Sequence, residues 1–190
     1  MINRFTILIV SLNIIFGSVP DASGVNGAVT SSNKFASDVG INILKDGGNA
    51  VDAAIAVGFA LAVVHPGAGN IGGGGFMVIR LADGTKTTID FRETAPQKAS
   101  RDMFLDENGD IIEGKSWSTS WASGVPGSVA GFGLAHEKFG TLQWSHLIDS
   151  SIQLARDGYP LNYNDANSFN RYNDFLTKDS VTRIIFVKDE

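Results

Sequence analysis

The sequence predicts an α+β fold, and three observations carry that prediction. A fifteen-residue run at 50–64 holds a single charged residue and is closed by Pro66, as a buried helix would be. Two runs rich in β-branched and apolar residues flank Asp83-Gly84, the pattern of a hairpin. Two further helical stretches then follow Pro126, and the chain closes on "VTRIIFV", which reads as a strand. At 190 residues there is room for one domain with a substantial core.

The elements follow in chain order. The opening "MINRFTILIVSLNIIFGSVPDASG" has the parts of a secretory signal: Arg4, an apolar segment at 5–16, then small residues at 17–23. Twelve apolar-rich residues are too short to cross a bilayer, which takes about 20. Residues 1–23 are therefore expected to be removed on export to the periplasm or outside the cell, leaving 24–190 as the mature segment. In "SSNKFASDVGINILKDGGN", Phe35, Val39, Ile43 and Leu44 share one helical face, and Gly47-Gly48 stop the helix. The next helix has Asn49 as N-cap and Asp52 at its third position, where a carboxylate suits the helix dipole. "GFMVIRLADGTKTTIDFRETAP" is the hairpin, its first strand expected over 76–82 in the interior of a sheet. "SGVPGSVAGFGLAHEKFG" opens a third helix after Pro126, and "TLQWSHLIDSSIQLARDGYP" gives a fourth, closed by Gly158 and Pro160. Residues 161–178 are polar and Asn-rich, and the last strand is expected over 181–187.

Composition removes several function classes. Net charge is −5 and no run of Lys and Arg occurs, which argues against a nucleic-acid partner. There are no cysteines, so disulfides, thiolate catalysis and zinc–thiolate sites are excluded. His65, His136 and His146 lack metal-ligand spacing and read as helix-end or surface residues. "PGSVAG" lacks the G-x-S-x-G of a nucleophile elbow, which leaves Ser128 as a helix-start residue.

Between Gly67 and Gly75, six of nine residues are glycine, and "GAGNIG" fits the G-x-G-x-x-G of dinucleotide sites. That fingerprint works when a strand feeds the loop and the following helix presents its N-terminus to a pyrophosphate. Here a helix feeds the loop and a strand follows, with no helix dipole expected at the loop. Tight backbone packing explains the glycines better. The constellation with most chemical content is "TTIDFRETAPQKA", which sets Asp90, Arg92 and Glu93 at a strand end. Arginine offers a planar fork for a carboxylate. From spacing alone the carboxylate is either Asp90 or Glu93 in an internal ion pair, the favoured reading, or a ligand.

Four stretches taken together, "GGNAVDAAIAVGFALAVVHP", "GNIGGGGFMVIR", "DFRETAP" and "GVPGSVAGF", resemble in their order the N-terminal part of the large subunit of γ-glutamyltransferases, also called γ-glutamyltranspeptidases or glutathione hydrolases. The resemblance runs from Ala28 to the end of the chain. It implies the N-terminal-nucleophile hydrolase fold, an αββα sandwich present here only in part. It implies a precursor that cleaves itself into large and small subunits and uses the small subunit's leading threonine to attack γ-glutamyl amides such as glutathione. It reverses the reading of Arg92, whose counterpart in the family grips the substrate α-carboxylate, with Glu93 in support. It implies no cofactor. "HPGAGN" departs from relatives that carry serines just before the isoleucine. Thr87 and Thr88 lie within an expected strand, so no catalytic residue is expected in this chain. The chain is expected to be a truncated large subunit that needs the rest of that subunit and the small subunit as partners. Made alone, it is expected to be inactive and not to form a stable monomer. The alternative is an exported protein that binds γ-glutamyl compounds or other carboxylates without catalysis.

Export gives the first test. N-terminal sequencing of exported material is expected to begin between about Asp21 and Asn26; a mature protein still beginning at Met1 would refute the signal.

Overall fold

The computed structural model describes residues 23–187. The signal segment expected at 1–23 lies, but for Ser23, outside them. The described chain is mixed helix and strand. Helix α1 is Lys34–Lys45 and helix α2 is Ala50–Val64. Strands β1, Phe76–Arg80, and β2, Lys86–Asp90, form an antiparallel hairpin. A single 3₁₀ turn at Ser120–Ala122 precedes helix α3, Ser128–Phe139, and helix α4, Trp144–Asp157. Three short helices follow: α5, Tyr163–Arg171; α6, Asn173–Leu176; and α7, Ser180–Phe186.

Helix α2 is the centre of the core. Val51, Ile55, Ala56, Phe59, Ala60 and Val64 are all buried, and they fall on more than one helical face. The surrounding elements each contribute one stripe. Ala36, Val39 and Ile43 come from α1, Ile79 and Ile89 from the hairpin, Ala135 from α3 and Leu147 from α4. An all-apolar helix is stable only when neighbours cover it on several sides, at about 25 cal/mol per Å² of apolar area removed from water.

The polar ends of α2 hold those neighbours in place. Asn33 caps α1 by accepting from the Phe35 amide at 2.9 Å, and its side-chain amide donates to the Val64 carbonyl at 2.7 Å. One residue thus joins the start of α1 to the end of α2. At the other end, Asn49 and Asp52 form a reciprocal capping box. Asp52 is fully buried, and it also accepts from the Thr141 hydroxyl at 2.6 Å and the Thr141 amide at 3.1 Å. The Asn49 side chain donates to the Phe139 carbonyl at 2.6 Å. The α3–α4 connection is therefore fastened to the first turn of α2.

Two expectations need correction, and one stretch left without an element acquires helices. "VTRIIFV", expected as a strand over 181–187, is helical, as α7. Asp179 caps it, accepting from the Thr182 amide at 2.8 Å, and no described strand lies beside it to claim its β-branched residues. The Asn-rich stretch at 161–178 also holds helices, started by Asn162 through the Asp165 amide at 2.9 Å. The first strand, expected interior over 76–82, stops at Arg80 and is covered on one face only. Met77 and Ile79 face the helices, while Phe76 and Val78 are 63% and 82% exposed. The turn forms at Asp83-Gly84 as expected: Gly84 has φ +90°, which glycine adopts without strain.

Asp52 ties this fold to pH. Burial alone would raise its carboxyl pKa, but the Thr141 hydroxyl and the amides of Asn49, Thr141 and Leu142 outweigh burial, and the net direction is down. A depressed folded-state pKa contributes stability above the ordinary carboxylate range and loses it as pH falls through the lower folded value. Asp52→Asn is therefore expected to lose on the order of 1–3 kcal/mol at neutral pH. It is also expected to show a shallower loss of stability below about pH 4. Denaturant titrations of both proteins across that range measure it, and parallel pH curves would refute it.

Candidate active site

Strand alternation builds the site. Ile89 and Phe91 turn toward the helices, so Asp90 and Arg92 turn away from them. Phe91 anchors the segment. Its ring meets Phe132 of α3 edge-on at 5.8 Å, and Phe132 continues the contact to Phe59 of α2 at 5.3 Å. Its backbone extends the hairpin ladder by exchanging both hydrogen bonds with Gly75, at 3.0 and 3.4 Å.

The glycines close around this anchor. A side-chain carbon at Gly74 would lie 2.5 Å from the Phe91 carbonyl oxygen, 2.7 Å from the Glu93 nitrogen and 2.8 Å from the Arg92 Cα. One at Gly127 would overlap the Phe91 carbonyl, and one at Gly131 would collide with the Phe91 ring. The Gly73 carbonyl accepts from the amides of Gly127 and Ser128 at 2.8 and 3.0 Å. Thr94 and Val125 form a further antiparallel bridge. Three of the stretches that stand out in the sequence therefore meet backbone to backbone.

This contact corrects one expectation about the loop. A helix N-terminus does reach the glycines, that of α3, from a later part of the chain. Its Gly127 and Ser128 amides are taken by the Gly73 carbonyl. The loop itself leaves α2 and enters β1, in the order expected.

Arg92 projects from the far side of this junction, its side chain 67% exposed. Its backbone amide donates to Asp90 Oδ1 at 3.0 Å. Its guanidinium carbon lies 5.9 Å from the centre of the Phe76 ring. Glu93 Oε2 stands 4.0 Å from Arg92 Nε, beyond hydrogen-bonding distance. The internal pair suggested by spacing is thus a loose one with Glu93, while Asp90 engages the backbone. Arg92 and Glu93 open onto a cleft of about 410 Å³ whose other walls include Pro96, Met103, Phe104 and Trp121. A planar cation lining a partly apolar cleft can take a carboxylate bidentately through donors that no carboxylate among the described residues occupies at close range.

The remaining candidates serve the scaffold. His65 caps the end of α2, His136 Nε2 lies 2.8 Å from the Leu142 carbonyl, and His146 Nε2 lies 3.0 Å from Asp46. Ser128 is the buried first residue of α3. Thr87 and Thr88 sit inside β2, opposite Ile79 and Val78. Sequence reasoning misses Phe76 as a neighbour of Arg92, and it misses the wall formed by Met103, Phe104 and Trp121. The alternation of "GFMVIR" against "TTIDFR" could have placed Phe76 on the Arg92 face. The segment around residues 95–125 has no period to read; its shape comes from turns, the Leu105–Ile111 bridge and one 3₁₀ turn.

The helix beside the anchor offers a paired test. Gly131→Ala drives a methyl into the Phe91 ring and is expected to cost about 1–3 kcal/mol. Gly133→Ala, two residues on in the same helix, meets nothing within 4 Å and is expected to stabilise by up to about 1 kcal/mol. Chemical denaturation of the two variants should give opposite signs; equal signs would contradict the packing described.

Comparison with known proteins adds independent findings. The family model described as Gamma-glutamyltranspeptidase matches residues 36–190. The glutathione hydrolase proenzyme of Escherichia coli (strain K12) is 51% identical over 164 residues, which cover 86% of this chain and 28% of that protein. Among solved structures, a Helicobacter pylori gamma-glutamyltranspeptidase superposes with a TM-score of 0.86 at 46% identity, covering 90% of this chain and 49% of that one. A gamma-glutamyltranspeptidase from Pseudomonas nitroreducens, solved in complex with L-DON, gives a TM-score of 0.81 at 39% identity, covering 88% and 50%. The chain thus spans less than a third of the E. coli proenzyme and about half of each of these solved chains.

Proposed function

The chain belongs to the gamma-glutamyltranspeptidase family, and from that membership we propose that it supplies the substrate-carboxylate grip of an enzyme cleaving γ-glutamyl amides. The observation that carries the reading is Arg92: a guanidinium lining a cleft, exposed and without a close carboxylate partner among the described residues. Its fork matches the α-carboxylate of a γ-glutamyl group, as in glutathione and its conjugates. Glu93, on the Nε side, leaves the outer edge of the fork to the substrate.

Holding the α-carboxylate at a fixed point confines the γ-amide carbon to the reach of the short chain between them, where a nucleophile must wait. In this reading the nucleophile is a threonine exposed at the head of a second subunit by self-cleavage. Its own α-amino group takes the hydroxyl proton, and backbone amides stabilise the oxyanion of the tetrahedral intermediate. The leaving amine departs with a proton, and the acyl-enzyme passes its γ-glutamyl group to water or to an amino acid or peptide. The nucleophile lies outside this chain, so the 190 residues alone are expected to be inactive. The hairpin, bare on its Phe76–Val78 face, would belong to the αββα sandwich of N-terminal-nucleophile hydrolases once completed. The enzyme would act in the periplasm or outside the cell.

In the full-length enzyme, Arg92→Ala removes two charge-assisted hydrogen bonds of about 1.5–3 kcal/mol each. The expected result is a fall in kcat/KM of about 10²-fold or more on γ-glutamyl substrates, with much of it in KM. Arg92→Lys keeps the charge, loses the fork and is expected to fall between. Kinetics close to wild type for Arg92→Ala would overturn the assignment.

A further inference from the structure

We propose that Phe76 and Asp90, opposed across the hairpin, are positioning residues that hold Arg92 in its carboxylate-taking orientation; this rests on the reading of Arg92 given above. The two are register partners at the end of the ladder. Gly75 and Phe91 next to them exchange both backbone hydrogen bonds, so Phe76 and Asp90 form the closer, non-hydrogen-bonded kind of pair. Both project to the face that carries Arg92, and Phe76 does so at 63% exposure.

The two residues act on different parts of the arginine. Asp90 Oδ1 accepts the Arg92 backbone amide at 3.0 Å, fixing where the side chain leaves the chain. The Phe76 ring lies under the guanidinium carbon at 5.9 Å, fixing where it ends. The geometry suits recognition because the five N–H donors lie in the guanidinium plane. A phenyl ring offers no lone pair to those donors and leaves them to a ligand, whereas a carboxylate at the edge would compete with substrate. Gly74 completes the mount by letting the loop backbone close to within van der Waals contact of Arg92 itself.

The test is kinetic, in the full-length enzyme with a chromogenic γ-glutamyl anilide. Phe76→Leu and Asp90→Ala are each expected to raise KM about 3–10-fold while kcat stays within about twofold. Phe76→Tyr, which keeps the ring face, and Asp90→Asn, which keeps an acceptor, are expected to restore most of the loss. In an Arg92→Ala background neither Phe76→Leu nor Asp90→Ala should change KM further, since what they position is gone. Losses that persist undiminished in that background, or a wild-type KM in both single variants, would overturn the positioning role. If Arg92→Ala itself leaves kcat/KM near wild type, the carboxylate reading fails at its root. If Arg92→Ala is severe but the cycle is additive, only the positioning claim fails.

Discussion

Backbone reaches backbone at Gly73, Gly74 and Gly127, and the described structure depends on it. A single methyl at Gly74 would sit within 2.8 Å of three main-chain atoms of residues 91–93. Main-chain atoms cannot move aside as a flexible side chain can, so the chain could only open. Opening would separate the loop after α2, the end of β2 and the start of α3, whose junction sets the direction of Arg92. The amides at the head of α3, which would otherwise lack partners, find one in the Gly73 carbonyl. Close approach and hydrogen bonding are thus the same event.

A second fastening, at the opposite end of α2, works by a different principle. Asp52 is a fully buried carboxylate, and an unpaired one would be costly. It is tolerated because the Thr141 hydroxyl and several amides converge on it. The aromatic chain Phe91, Phe132, Phe59 and Trp144 runs between the two fastenings through α2, α3 and α4.

The architecture divides support from exposure. Helix α3 lies against β2, and the face of the hairpin that carries Ile79 and Ile89 joins the helical core, while the other face leaves Phe76 and Val78 open to solvent. The chain spans less than a third of the E. coli relative it matches and about half of the solved relatives. A hairpin covered on one face only accords with a chain that spans part of its relatives' length.

Much of the fold is legible in the residues themselves. Helix α2 can be read to its end residues, because a long apolar run with a capping Asn and a terminal Pro leaves few alternatives. The hairpin turn, the α3 start after Pro126 and the α4 stop at Gly158 follow from equally local chemistry. Arg92 stands out for its residue type at a strand end, and the family shows in four stretches in order. Other features are not local. "VTRIIFV" is rich in β-branched residues, yet a strand needs a neighbouring strand, and a side-chain cap at Asp179 makes the helix instead. That the head of α3 closes on Gly73 is not readable, since it joins segments more than fifty residues apart. Nor is the choice of Glu93 over Asp90 as the nearer carboxylate to the guanidinium. By itself, then, the sequence determined where helices start and stop and which side chains carry charge, because those depend on residues a few positions apart. The tertiary structure alone decided which backbones touch, which face stays open and what stands beside Arg92, because those depend on distances between segments remote in the chain.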